Sequence, residues 1–193
     1  QRQMCIRDSY YIAEIYLIKK NFDKAEIVAQ NYLSAYSGQP DEAEMYPVLG
    51  TAEYHTGKYL EAMKSFDQYA SESNSHPLRR DARYMQGLAC YHCKVYTRVP
   101  ELLNEVADGQ DALAQNAWLH MGLAYLQLDD KNKARMAFEQ AATSNADLSV
   151  KEQAAYNHAL CIHETSYSAF GESVTVFEKF LNDFPNSVYP DKA

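Results

Sequence analysis

Apolar residues recur three and four apart along most of the chain. In EMYPVLGTAEYH, Glu44 to His55, and again in YLEAMKSFDQYA, Tyr59 to Ala70, the spacing is helical, and Gly57 interrupts it between the two stretches. The pattern predicts two helices joined by a tight turn. The same unit returns along the chain. The small residues Ala13, Gly50, Gly87, Gly122 and Ala159 align at spacings of 37, 37, 35 and 37. Twelve residues after each of the first four stands a second small or β-branched residue, Ala25, Ala62, Val99 and Ala134; the fifth, Ser173, follows after fourteen. Four further on lies a third row, Ala29, Phe66, Leu103, Phe138 and Phe177. Three rows held in register over five copies are a repeat.

One helical hairpin cannot bury both of its faces, so neighbours must stack. Small residues suit the places where two helices cross closely, and the phenylalanines fill the gap to the next hairpin. The expected fold is all-α, a right-handed α-solenoid of about five stacked helix-turn-helix hairpins. Pro100 is compatible with this. It falls in the first turn of the second helix of its pair, where a missing N–H costs nothing, with Thr97 or Arg98 as the cap.

WLHMGLAYLQLDDKNKARMAFEQA, Trp118 to Ala141, resembles a tetratricopeptide (TPR) repeat: Trp118, Gly122, Tyr125, Ala134, Phe138 and Ala141 match the family's signature. The copy at Tyr46 to Tyr69 keeps Tyr46, Leu49, Gly50, Gly57, Tyr59, Ala62 and Phe66. The copies at Tyr10–Leu33 and Ala82–Val106 are weaker. The last, Ala154 to Pro185, carries two extra residues in its turn (Glu164 to Phe170) and ends on the family's closing proline, Pro185. The resemblance covers Ser9 to Pro185. The expected organisation is a lead-in at 1–8, a solenoid at 9–187 with repeats at about 9–37, 41–75, 78–109, 112–146 and 149–186, and the start of a further repeat at 188–193. Neither end shows the polar outer face of a solenoid cap, so the chain reads as an internal piece of a longer array whose ends self-associate. FEKFLNDFPNSVYPDKA and AAYNHALCIHETSYSAFGESVTVFEKFL are similar to TPR proteins of the bacterial cell envelope, of the Bacteroidetes type, which implies a periplasmic parent.

Composition narrows the partners. Of 193 residues 47% are apolar, with only 7 Gly and 6 Pro, which suits a helical domain with a substantial core. A formal net charge of −8 argues against nucleic acid and against anionic lipid. No apolar run is long enough to span a bilayer. Four cysteines at irregular spacing make no disulfide framework.

CYHC, Cys90 to Cys93, is the stretch that most looks like chemistry. Cys90 aligns with Tyr16 and Tyr125, the row that packs between helices, and Cys93 lies one turn later near the helix C-terminus. A reactive thiolate wants the opposite end of the dipole. A zinc site needs two more ligands; His120 is the nearest candidate, and Cys161 with His163 lies two repeats away. Packing is the reading the register favours, with a redox pair and a metal half-site as alternatives. Cys161 shares a row with Ala89 and Ala124 and reads as packing. In PLRRDAR, Pro77 to Arg83, a solvated face paired with Asp81 competes with a handle for an acidic partner. No nucleophile–base arrangement, phosphate loop, metalloprotease spacing around His158 and His163, or paired carboxylate stands out, so no enzyme, cofactor or metal is expected.

Tyrosine is the outlier, 16 residues against one Trp and 7 Phe. Tyr54-His55 and Tyr91-His92 occupy corresponding positions of consecutive repeats. The resemblance implies that first helices line a concave groove, with Tyr10, Tyr54, His55, Tyr84, Tyr91, His92, Leu119, Leu123, Gln127, Tyr156 and His163 facing it. Such a surface suits an extended or helical peptide, because tyrosine offers area, a polar tip and little entropy loss. Half-buried packing is the alternative for each residue. The chaperone-tail carboxylate clamp of some TPR proteins is not expected, since the matching positions hold Tyr, Thr, Leu and His. The expected function is a non-enzymatic interaction scaffold for a protein or peptide partner. A structural spacer, or a regulatory segment of an enzyme elsewhere in the parent chain, is the alternative.

Overall fold

A computed structural model describes residues 2–38, 42–72, 80–165 and 171–189. These residues form ten α-helices and contain no strand: α1 Arg2–Ile18, α2 Phe22–Ala35, α3 Met45–His55, α4 Tyr59–Glu72, α5 Arg80–His92, α6 Arg98–Ala107, α7 Ala112–Gln127, α8 Lys131–Thr143, α9 Leu148–Thr165 and α10 Glu172–Asp183. The first helix begins at Arg2, upstream of the Ser9 boundary the repeat pattern suggests. The expected start of a further repeat beyond Tyr189, the longer turn at 166–170 and the first three residues of PLRRDAR lie outside the described residues.

Four described hairpin turns close the same way. The backbone turns left-handed at Lys20 (φ 55°), Gly57 (φ 82°), Lys94 (φ 61°) and Asp129 (φ 57°). The next N–H then reaches back to a carbonyl of the last helical turn: Asn21 to Tyr16, Lys58 to Glu53, Val95 to Cys90 and Asp130 to Tyr125, at 2.8–2.9 Å. This is the Schellman closure, which satisfies carbonyls the helix end would leave bare. Glycine adopts that conformation without penalty, and of these four turns the second has one. Pro100 falls in the first turn of α6 with Thr97 at its N-cap position, although no Thr97 side-chain bond forms.

Glycines of the small-residue row mark close crossings in two hairpins, α3–α4 and α7–α8. A Cβ placed on Gly50 would lie 3.0 Å from the Phe66 ring, and one on Gly122 would lie 2.5 Å from Phe138. The phenylalanine therefore needs the glycine opposite it. It also reaches the next hairpin: Phe66 clusters with Ala82 and Ala89 of α5, and Phe138 with Val150, Ala154 and Cys161 of α9.

The chain divides into two compact units, residues 1–95 and 96–193. In the first, α1 pairs with α2 and α3 with α4, and α5 packs on α3 and α4. Its core joins Ala13, Ala29, Tyr32, Met45, Val48 and Leu49. In the second, α6 packs on α7, α7 pairs with α8, and α9 packs on α8 and pairs with α10. The third predicted pair is shared out, with α5 in the first unit and α6 in the second.

Candidate interaction surfaces

In the first unit the histidines of the Tyr-His pairs have an intramolecular task. His55 ends α3 and stacks on Phe22, the first residue of α2, with ring centroids 4.2 Å apart and planes at 15°. His92 ends α5 and stacks in the same way on Tyr59, the first residue of α4, at 4.2 Å and 10°. Each stack joins one hairpin to the next. Both imidazoles remain exposed. Desolvation, helped by Lys20, holds the His55 pKa below the usual histidine value.

Tyr54 sits between these stacks. Its hydroxyl is hydrogen-bonded to His92 Nε2 at 3.2 Å, and its ring meets His55, Tyr59 and His92 edge-on at 5.3–5.6 Å. Burial, then the nearby Tyr59, raises its pKa. Tyr91 is half-buried and touches His92 edge-on. Tyr84 is half-buried, and burial with some effect from Tyr54 pushes its pKa to about 12. Tyr10 donates a hydrogen bond to Glu14 Oε1 at 2.7 Å and packs against the α1–α3 core. Tyr54, His55, Tyr91 and His92 thus form one partly exposed patch with Tyr59 and Phe22, two rings the groove prediction did not include. The stacked geometry reveals them; the signal in the sequence that could have found them is register, since Phe22 and Tyr59 open the second helices of consecutive repeats.

The second unit answers the prediction differently. Leu119 is a core residue, packed with Phe138, Val150 and Ala154, and offers no surface. Tyr156 is also buried: Tyr189 stacks on it at 4.9 Å and 23°, and Phe180 covers another side at 5.7 Å. Leu123 is half-buried, while Gln127 and His163 are exposed at the ends of their helices. His163 meets Phe177 edge-on at 6.3 Å. At the register position of the aromatic–histidine stacks, Lys131 Nζ and Glu164 Oε2 form an ion pair of 3.1 Å.

A cleft of about 600 Å³ lies on another side of this unit, lined by Pro100, Glu101 and Asn104 of α6, Trp118, Met121 and Tyr125 of α7, and Lys133, Met136 and Ala137 of α8. At 100° per residue, Trp118, Met121 and Tyr125 share one face of α7, well away from the face of Leu123 and Gln127. A more polar cleft of about 910 Å³ lies near the α6–α7 and α8–α9 connections. Gln115 lines it and ties them together, donating from Nε2 to the Ala141 and Ser144 carbonyls and accepting at Oε1 from the Asp147 N–H.

The structure also brings together two carboxylates that sequence spacing did not single out. Glu26 of α2 and Glu53 of α3 are both buried. Glu26 pairs with Lys58 Nζ at 2.5 Å and accepts from Gln30 and Thr56. Glu53 accepts from the Ser65 hydroxyl at 2.7 Å. Burial raises the Glu53 pKa, against the Ser65 bond, and the Glu26 charge adds to the rise. Glu53 stands where Tyr16 and Tyr125 stand in other hairpins, and those rings lie under Lys24 and Lys133 at 5.7 and 5.6 Å.

Cys90 and Cys161 are buried and Cys93 is half-buried. Burial raises the Cys93 pKa, with a contribution from Glu61, and pushes that of Cys161 to about 11. Both shifts disfavour the reactive thiolate.

Residues 115–148 match the tetratricopeptide repeat family. No curated protein matches the sequence. Among solved structures, YrrB, a TPR protein with an unusual peptide-binding site, superposes with a TM-score of 0.74 at 14% identity, covering 96% of this chain and 91% of that one. MamA superposes at 0.72 with 20% identity, covering 93% and 92%. A fragment of MamA from Desulfovibrio magneticus RS-1 superposes at 0.72 with 18% identity, covering 94% and 97%. The chain has the all-helical fold of these TPR solenoid structures.

Proposed function

We propose that this chain is a non-enzymatic protein–protein interaction scaffold that holds a segment of a partner protein along the first helices of its hairpins. The observation that carries the reading is the Tyr54 patch. Tyr54 is braced by His55, Tyr59 and His92, so its ring and hydroxyl are presented at little further entropy cost, as a binding anchor requires. Tyr91 and Tyr84 extend the surface on α5. The peptide-binding site named for YrrB supports a peptide as the ligand class, since the fold is shared. A net charge of −8 favours a basic or neutral segment. The likeness of the last repeat to envelope proteins supports an exported parent chain.

The test is selection of peptides on the folded chain, followed by mapping of amide chemical-shift changes. Shifts centred on Tyr54, His55, Tyr91 and His92 support the reading; shifts confined to the Trp118 cleft overturn that placement. Self-association through the terminal hairpins is a second reading, favoured by exposed apolar positions on α1 and α10.

A further inference from the structure

The two clefts of the second unit are parts of one trough, because Trp118 lines both. Along α6 the wall passes from Pro100, Glu101 and Asn104 in the apolar cleft to Ala107 and Asp108 in the polar one. Along α8 it passes from Lys133, Met136 and Ala137 to Gln140 and Thr143. These are steps of three and four residues, the spacing of one helix face, taken in the same direction on both helices. The second helices α6 and α8 therefore run side by side, with Trp118, Met121 and Tyr125 of α7 as the floor between them. At 1.5 Å per residue the walls 100–108 and 133–143 make the trough about 12–15 Å long.

The corresponding crevice of the first unit, between α2 and α4 over α3, is taken up by hydrogen bonds among its own side chains. Where the trough has Pro100, Asn104, Tyr125 and Ala137, that crevice has Glu26, Gln30, Glu53 and Ser65. Gln30 donates to Glu26, Lys58 pairs with Glu26, and Ser65 donates to Glu53. In the trough a proline, an aromatic ring and a methyl group replace three members of that network. Met136 stands at the lip, 62% exposed, above the half-buried rings of Trp118 and Tyr125. A methionine there adapts to the shape of what it meets.

The charge of the trough is one-sided. Lys133 is neutralised by Asp130 at 2.8 Å and lies over the Tyr125 ring. Glu101 is exposed in the apolar part and Asp108 in the polar part. The C-terminal ends of α6 and α8, at Ala107 and Thr143, both lie at the Asp108 end, where their dipoles add negative potential.

We infer that this trough is a second docking site, which takes a short amphipathic helix of a partner protein bearing basic residues beside its apolar face. Leucine-sized side chains pack on Trp118, Met121 and Met136, and a lysine or arginine reaches Asp108 and the two helix ends. A helix is the form that fits, because two parallel helices leave a groove that a third fills, as α7 fills it from beneath. The site lies on a different face of α7 from Leu123 and Gln127 and does not depend on the Tyr54 patch.

Trp118 is the chain's one tryptophan, so its fluorescence reports on the trough directly. The probe is a synthetic peptide of about fourteen leucines and lysines in a helical pattern, compared with a peptide in which glutamates replace the lysines. The leucine–lysine peptide is expected to give a saturable, one-to-one blue shift of Trp118 emission, and the acidic peptide none. Met136→Lys, at an exposed position, is expected to weaken binding at least about tenfold, with helix content checked by circular dichroism. Glu178→Lys makes a larger charge change on the exposed side of α10 and is expected to leave affinity unchanged. Tyr54→Ala/Tyr91→Ala is likewise expected to leave the shift intact. No shift, or one given equally by both peptides, overturns the proposal. Equal losses in Met136→Lys and Glu178→Lys would mean general charge attraction and overturn it too. So would a shift produced by raising the protein concentration alone, which would seat a second copy in the trough. Loss of the shift in the tyrosine double variant, with Met136→Lys unaffected, would move the probe to the Tyr54 patch.

Discussion

The imidazole of His92 lies flat on the ring of Tyr59, centroids 4.2 Å apart, and His55 lies on Phe22 in the same relation one hairpin earlier. Between α8 and α9 the same two register positions hold Lys131 and Glu164, joined by an ion pair. The chemistry changes while the job stays: the first residue of a second helix grips the C-terminal end of the next first helix. A double-mutant cycle on Tyr59→Ala and His92→Ala is expected to give a coupling of about 0.5–1.5 kcal/mol in urea unfolding. Additive effects would mean that the stack carries no energy.

Glu53 is expected to lower stability at neutral pH. Its folded pKa lies above the ordinary glutamate value of 4.5, so between the two the folded state binds more protons and stability falls as pH rises. Glu53→Gln keeps an acceptor for Ser65 and removes the buried charge beside Glu26. It is expected to raise unfolding stability at pH 7 by on the order of 1 kcal/mol, with the gain vanishing in acid. Thermal melts of both proteins across pH check this.

His55 works with the opposite sign. Its folded pKa lies below 6.5, so as pH falls from 6.5 towards the folded value the unfolded state takes up more protons and stability is lost. His158, also depressed by burial, adds to the loss. His55→Phe preserves the stack on Phe22 and is expected to flatten the slope of stability against pH in that window. An unchanged slope would assign the effect to other groups.

The close crossings predict an ordering of glycine variants. Gly122→Ala pushes a Cβ to 2.5 Å from Phe138 and is expected to cost about 1–3 kcal/mol, despite the higher helix propensity of alanine. Gly50→Ala, at 3.0 Å from Phe66, is expected to cost less. At the turns the sign reverses. Lys94→Gly relieves a left-handed lysine (φ 61°) and is expected to stabilise by about 0.5–1 kcal/mol. Chemical denaturation of the three variants is sufficient.

The hairpins were legible in the sequence because a repeat writes its packing three times over. Gly50, Ala62 and Phe66 recur in register, and each row reports a contact inside one hairpin or to the next. The ring stacks between hairpins were not legible. Tyr54-His55 and Tyr91-His92 read as a binding surface, and only the stacked geometry shows that each imidazole is also held by the preceding hairpin. Leu119 and Tyr156 were misplaced for local reasons. Leu119 lies where α7 meets the start of α9, and Tyr156 lies beneath Tyr189 of a segment that doubles back after α10. Glu53 escaped notice because its partner Glu26 belongs to another repeat, and their approach depends on how α2 seats α3.

The scaffold reading rests on Tyr54 and Tyr91 as anchors rather than as packing. The direct measurement is affinity for a peptide selected on the wild-type chain, compared with the Tyr54→Ala/Tyr91→Ala double variant, helix content and melting being followed in parallel. The account predicts a loss of at least about tenfold, 1.4 kcal/mol or more, with the fold retained. Unchanged affinity in a folded double variant would contradict it and leave the chain as a spacer.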